Sequence, residues 1–182
     1  MAPKKIEFCS TTTSEEIKEI IKNLVLTIIA FENSGTDESL EKAEQGWVGF
    51  GHLISEISSK VEKNIFISSA LEFTKEDDPY LVNAGLSMLG LPEVIESYTA
   101  KNQQEELIAL FSEYIPSEED MQSINPRSSD MYNFLMSVEG LLNLDQDELL
   151  GNKLTKTHEE ILRECCDAPD MAGTKINEKY GE

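Results

Sequence analysis

Residues suited to chemistry are few in this chain: two histidines, His52 and His158, and three cysteines, Cys9, Cys165 and Cys166. A zinc ion needs His or Cys ligands at short helical or knuckle spacing, so that all of them converge on one point. His158 and Cys165 are seven residues apart, two helical turns and about 10 Å of rise, too far for one ion without ligands from elsewhere. Adjacent cysteines also point to different sides of a helix, so Cys165 is expected in the core and Cys166 half buried. A di-iron bundle requires Glu-x-x-His pairs, but Gly49 and Thr155 stand three residues before the histidines. Asp145-Gln146-Asp147 opens like a calcium loop, yet Leu149 and Leu150 occupy a ligand position and the glycine position.

Nucleotide and nucleophile signatures are missing in the same way. Gly46-Trp47-Val48-Gly49-Phe50-Gly51 is glycine-rich, but it lacks the Lys-Ser/Thr of a P-loop and no strand feeds it, so it reads as structure. There is no Gly-x-Ser-x-Gly elbow. Cys9 follows Lys4 and Lys5, whose charge lowers a thiol pKa, but no base can be assigned to it. The chain therefore reads as a non-enzyme, with no catalytic, cofactor-binding or metal-ligating residue.

Helices dominate the elements. Thr13 and Glu16 form a capping box, and Ile17, Ile20, Ile21, Leu24, Val25 and Ile28 follow on one face until Gly35. A second helix starts at Thr36 or Asp37; Leu40, Ala43, Trp47, Phe50, Ile54, Ile57 and Val61 form a seam in steps of three and four. Gly46, Gly49 and Gly51 interrupt it, predicting a kink or a close approach of another backbone. Residues 64–73 fit either a short strand or a buried helix. Asp78-Pro79 starts the next helix, Pro92 another, and Asn102 with Glu105 caps a third. Ser117 opens an acidic turn, Ser128 or Ser129 caps the helix carrying Phe134 and Leu135, and Asp145 starts a turn ending at Gly151. Thr157 with Glu160 begins the last. The expectation is an all-α, irregular bundle of eight or nine short to medium helices. It comprises an N-terminal segment (1–12), a single helical domain (13–166) and an irregular tail (167–182).

Charge is the unusual property. Fifteen basic residues face 35 acidic ones, a net charge of −20. From Glu76 to Asn152 there are 16 acidic residues and two basic ones, Lys101 and Arg127. Such a surface repels nucleic acid and anionic lipid, which are bound through Lys and Arg. It attracts basic proteins and speeds their encounter. Three clusters are the candidate partner-binding residues: Glu76, Asp77 and Asp78; Glu118, Glu119 and Asp120; and Asp145, Asp147 and Glu148. Each also lies at a helix start, where negative charge complements the macrodipole. The odd cysteine count fits a reducing compartment. The most apolar run, Leu24–Phe31, falls far short of the ~20 residues that span a bilayer. No signal-peptide core precedes it, so a cytoplasmic location is expected.

In size, acidity and lack of catalytic motifs the whole chain resembles the immunity proteins of bacterial toxin–immunity pairs. That resemblance implies binding of a basic toxin, often a nuclease, whose active site is covered by carboxylates standing in for phosphates. Two other readings remain: a helical adaptor that seats a partner helix, and an all-α enzyme whose site is built from scattered residues.

Overall fold

In a computed structural model the chain is described over residues 8–9, 11–125, 128–166 and 173–181. Among these residues there are eleven helices and no strand. They are α1 (Ser14–Ser34), α2 (Asp37–Lys60), α3 (Lys63–Phe73), α4 (Pro79–Leu89), α5 (Pro92–Ala100), α6 (Gln104–Glu113), α7 (Glu118–Ser123), α8 (Ser129–Asn143), α9 (Asp147–Lys153), α10 (Lys156–Cys166) and α11 (Thr174–Tyr180). The all-α expectation holds. The expected count of eight or nine is too low.

Local chemistry explains the starts and stops. The Glu16 amide donates to Thr13 Oγ1 at 3.3 Å, and the Thr13 amide donates back to Glu16 Oε2 at 2.8 Å. Donation from the Thr13 amide, and from the Thr13 hydroxyl at 3.0 Å, holds the Glu16 carboxyl below its ordinary pKa. Gly35, at φ 67°, ends α1 in the left-handed region that a side chain would strain. Thr36 then caps α2 in a box with Ser39. One face of α1 (Ile17, Ile21, Val25 and Ile28) is wholly buried where it lies along α2 and α3.

The glycines of α2 neither break nor end it; the helix is continuous from 37 to 60. At Gly46 the close neighbour is a side chain rather than a backbone: a Cβ there would sit 2.6 Å from Ile28 Cγ1 of α1. Next to it Trp47 binds four helices together. Its Nε1 donates to Glu32 Oε1 of α1 at 2.7 Å, and its ring meets Phe50 edge-on, stacks on Tyr80 of α4 and leans against Tyr132 of α8. The Gly46–Gly51 stretch is thus structural.

The hydrophobic core is continuous and α8 runs through it, with Phe134, Leu135, Val138 and Leu141 fully buried. Helix α4 packs along α8, with α3 against the other side of α4; α6 covers α8 under Phe111. Residues 64–73, ambiguous between strand and helix, are helical because Phe66, Ala70 and Phe73 all point into this core.

Three helix starts differ from expectation. Asn102 takes a left-handed φ of 54° and Gln103 occupies the cap of α6. The box expected at Thr157 and Glu160 is not formed; ahead of α10 the Thr155 amide donates to His158 Nδ1 at 3.2 Å. Glu160 pairs with Lys156. Nor does Asp145 begin its helix; it is left-handed at φ 56°, and α9 starts two residues later.

The expected irregular tail contains α11. Glu139 of α8 accepts from the Lys175 and Ile176 amides, both at 2.9 Å, so a distant carboxylate caps this helix. Ile176 and Tyr180 enter the core, as does Phe8 at the other end, so the packed body reaches beyond residues 13–166 on both sides. The rest of the tail, 167–172 and 182, lies outside the described residues, as do residues 1–7 and 10 of the N-terminal segment. No described helix is long and apolar enough to cross a membrane.

Candidate functional site

An open groove of about 620 Å³ lies where α4, α6, α7 and α8 meet. Four carboxylates line it, each from a different element: Asp77 before α4, Glu113 at the end of α6, Asp120 in α7 and Asp130 in α8. The lining contains no histidine or lysine, and none of the four carboxylates has an ion-pair partner among the described residues. Arg127 lies outside the described residues.

Helix starts hold three of these carboxylates in place. Asp78 accepts from the Tyr80 amide at 3.0 Å, which fixes the turn that presents Asp77. Ser117 accepts from the Asp120 amide at 3.2 Å and donates to Asp120 Oδ2 at 2.6 Å. Ser128 caps α8 by accepting from the Met131 amide at 3.3 Å, which sets Asp130 in the first turn. The Tyr114 hydroxyl donates to Thr74 O at 3.3 Å. Burial, reinforced by Glu113, raises the pKa of this phenol.

His158 fixes the wall from behind. Because the Thr155 amide can only donate, Nδ1 must accept, and Nε2 therefore carries the proton. Nε2 donates to Pro116 O at 3.0 Å, tying α10 to the corner between α6 and α7. The ring is 1% exposed and packs on Phe134. This histidine positions the groove without entering it.

Of the three sequence clusters, two contribute to the groove. Asp77 and Asp120 line it. Asp78 is used as a cap; Glu76 lies 4.0 Å from Lys22; Glu118 accepts from Thr157 Oγ1 at 3.2 Å; Glu119 is exposed. The third cluster lies apart. Asp145, Asp147 and Glu148 follow the C-terminus of α8, while the groove is at its N-terminus, about 20 Å away along the axis. Asp147 also pairs with Lys179 of α11. Glu113, Asp130 and Asn133 belong to the groove but were not singled out from the sequence. The first two are isolated carboxylates rather than triplets. Asn133 carried a signal that periodicity alone passes over: a polar residue one helical turn before Ser137, beside an apolar stripe.

The other chemistry-bearing residues stay separate. His52 is exposed on α2, Cys165 is buried, and Cys166 is half buried. The Cys9 thiol is exposed and its pKa is lowered, first by the Thr11 hydroxyl; Lys4 and Lys5 lie outside the described residues. Among the described residues no three His, Cys, Asp or Glu side chains gather closely enough to hold a metal ion.

What this arrangement offers is a negatively charged, half-apolar cleft held by rigid helix ends. Comparison of the chain with known protein families, curated proteins and solved structures finds no match.

Proposed function

We propose that this chain is an acidic inhibitor that neutralises a basic protein by covering its working surface, as an immunity protein covers a nuclease toxin. One observation carries the reading: carboxylates from four elements converge on one groove with no cation to balance them among the described residues. Self-repulsion of this kind disfavours the compact state, and a basic surface docked over it relieves the repulsion. Rim carboxylates would steer the encounter, while those in the cleft would hold the partner once desolvated. In this reading the protein acts in the cytoplasm, free of cofactor and of nucleic acid. Its contact residues are Asp77 and Asp120 with Glu113 and Asp130, while Asp145, Asp147 and Glu148 contribute only to the long-range field.

An adaptor for a partner helix would need an exposed apolar trough. The large apolar side chains exposed among the described residues are Leu26 and Val48, one each on α1 and α2, which favours the acidic groove instead.

The test compares the wild-type chain with a variant carrying Asp77→Asn, Glu113→Gln, Asp120→Asn and Asp130→Asn. Both are immobilised and exposed to a panel of basic nuclease domains at low salt. The expected result is one domain bound and inhibited by the wild type, with affinity lost by at least tenfold in the variant. A domain held and inhibited equally well by both forms would overturn the proposal.

A further inference from the structure

We infer that the seat of α11 on α8 and α10 is a docking site for a basic amphipathic helix. The chain's own C-terminal helix fills it, and a partner's helix of the same pattern displaces that occupant. The seat lies toward the C-terminal end of α8, away from the acidic groove, so the inference stands apart from the proposed inhibition.

Helix α11 has little stability of its own. Seven residues are too few for a helix to persist alone, and no side chain at its start caps it. Two side chains anchor it, Ile176 and Tyr180, both buried. Its first amides are held from below by Glu139 of α8, which accepts from Lys175 and Ile176. The Cys166 thiol of α10 donates to Ile176 O at 3.8 Å. The remaining ties are surface ion pairs, Lys179 with Asp147 and Lys175 with Glu178, and such pairs hold weakly in salt. An element bound this way opens before the core beneath it.

What it covers has a definite shape and charge. Ile176 and Tyr180 are four residues apart on one face, so the seat between α8 and α10 fits an apolar residue and an aromatic one at that spacing. Carboxylates surround it. Lys175 has its pKa raised by Glu178 first, with Asp145 and Glu139 adding to the rise. Burial raises the Tyr180 phenol, and Glu159 and Asp147 add to it. Arg163 is the nearby cation, and it is paired with Glu159. A Cβ on Gly173 would collide with the Glu139 carboxylate, so the seat requires glycine two residues before the first basic one. The recognised pattern is Gly-x-basic-apolar-x-x-basic-aromatic. This trough is missing from the exposed apolar surface because the chain fills it. Charge selects the occupant: a second copy would bring −20 against −20, whereas a basic helix is attracted.

The probe is an acetylated, amidated peptide with the sequence of residues 173–181, titrated into the isotope-labelled full chain at low salt and followed by NMR. It is expected to bind the Tyr180→Ala chain about tenfold or more tightly than the wild type, where it competes with a tethered copy at roughly millimolar effective concentration. Binding should move the chain's own resonances at 175–180 toward unfolded positions and leave those of α4 in place. A control peptide with Ile176→Asp should not bind, and Glu139→Gln in the chain should weaken binding several-fold. If Tyr180→Ala fails to fold, Lys179→Glu loosens α11 from an exposed position without touching the core. Equal affinity for the wild type and the loosened variant, equal binding of the control peptide, or no movement at 175–180 would overturn the inference. So would a dimer of the loosened variant in sedimentation that excludes the peptide, since the occupant would then be a second copy.

Discussion

Gly49 and Gly140 are the same residue type in the middle of helices, and their surroundings give them opposite worth. A Cβ at Gly140 of α8 would lie 2.6 Å from two atoms of the Phe111 ring, which is fully buried and has no room to turn away. A Cβ at Gly49 of α2 would meet nothing within 4 Å. At an exposed, uncrowded helix position Gly→Ala stabilises by up to about 1 kcal/mol, because glycine loses more backbone entropy on folding. At a crowded core position the added methyl forces a shift that costs about 1–3 kcal/mol. Urea denaturation should therefore move the Gly49→Ala midpoint up and the Gly140→Ala midpoint down, with similar slopes. Two shifts of the same sign would mean that Phe111 does not pack on Gly140 as described.

Elements hold the groove in shape, and His158 is the clearest case. Its ring satisfies the Thr155 amide on one side and Pro116 O on the other, so α10 and the corner between α6 and α7 move together. His158→Ala leaves both backbone groups without that partner inside the fold and opens a space beside Phe134. A loss of about 2–4 kcal/mol is expected from those terms. Amide hydrogen exchange should rise most around residues 114–121 and 155–162; a uniform rise across the chain would argue against a local staple. This contact was hidden in the sequence, although most elements were legible there. Thr13 and Glu16, or Asp78 and Pro79, carry their helix start within four residues, and the seam from Ala43 to Val61 repeats often enough to show its face. Thr155 and His158 make an uncommon contact at a helix start, in which a ring nitrogen accepts where a Glu carboxylate usually does. Helix α11 was invisible for a different reason: its cap is Glu139, 36 residues away from Lys175. A seven-residue helix that owes its start to tertiary contact leaves little local periodicity to read.

Across the whole molecule the charge imbalance acts on two quantities with opposite signs. At −20 the folded chain repels itself. A protein of this length has a radius of gyration of about 16 Å, so at 10 mM salt, where screening reaches ~30 Å, nearly every carboxylate feels every other. At 150 mM the reach drops to ~8 Å and only near neighbours remain coupled. Adding sodium chloride over that range should raise the Tm of the free chain by a few degrees, since ~1 kcal/mol corresponds to about 2–4 °C at this size. The same addition should slow association with a basic partner steeply, because screening removes the steering field. Neutralising Asp77, Glu113, Asp120 and Asp130 should mimic the salt: a higher Tm together with a lost partner. Composition made the excess charge plain, but the chain could not show that Asp77 and Asp120 meet Glu113 and Asp130 in one cleft while Asp147 turns to Lys179 at the far end of α8. That convergence depends on how α4, α6, α7 and α8 pack. It makes the fourfold variant the sharper probe, since salt weakens every surface charge and the variant removes only the groove's. If stability and binding both fell in the variant, its carboxylates would be structural caps rather than a charged surface held ready for a cation.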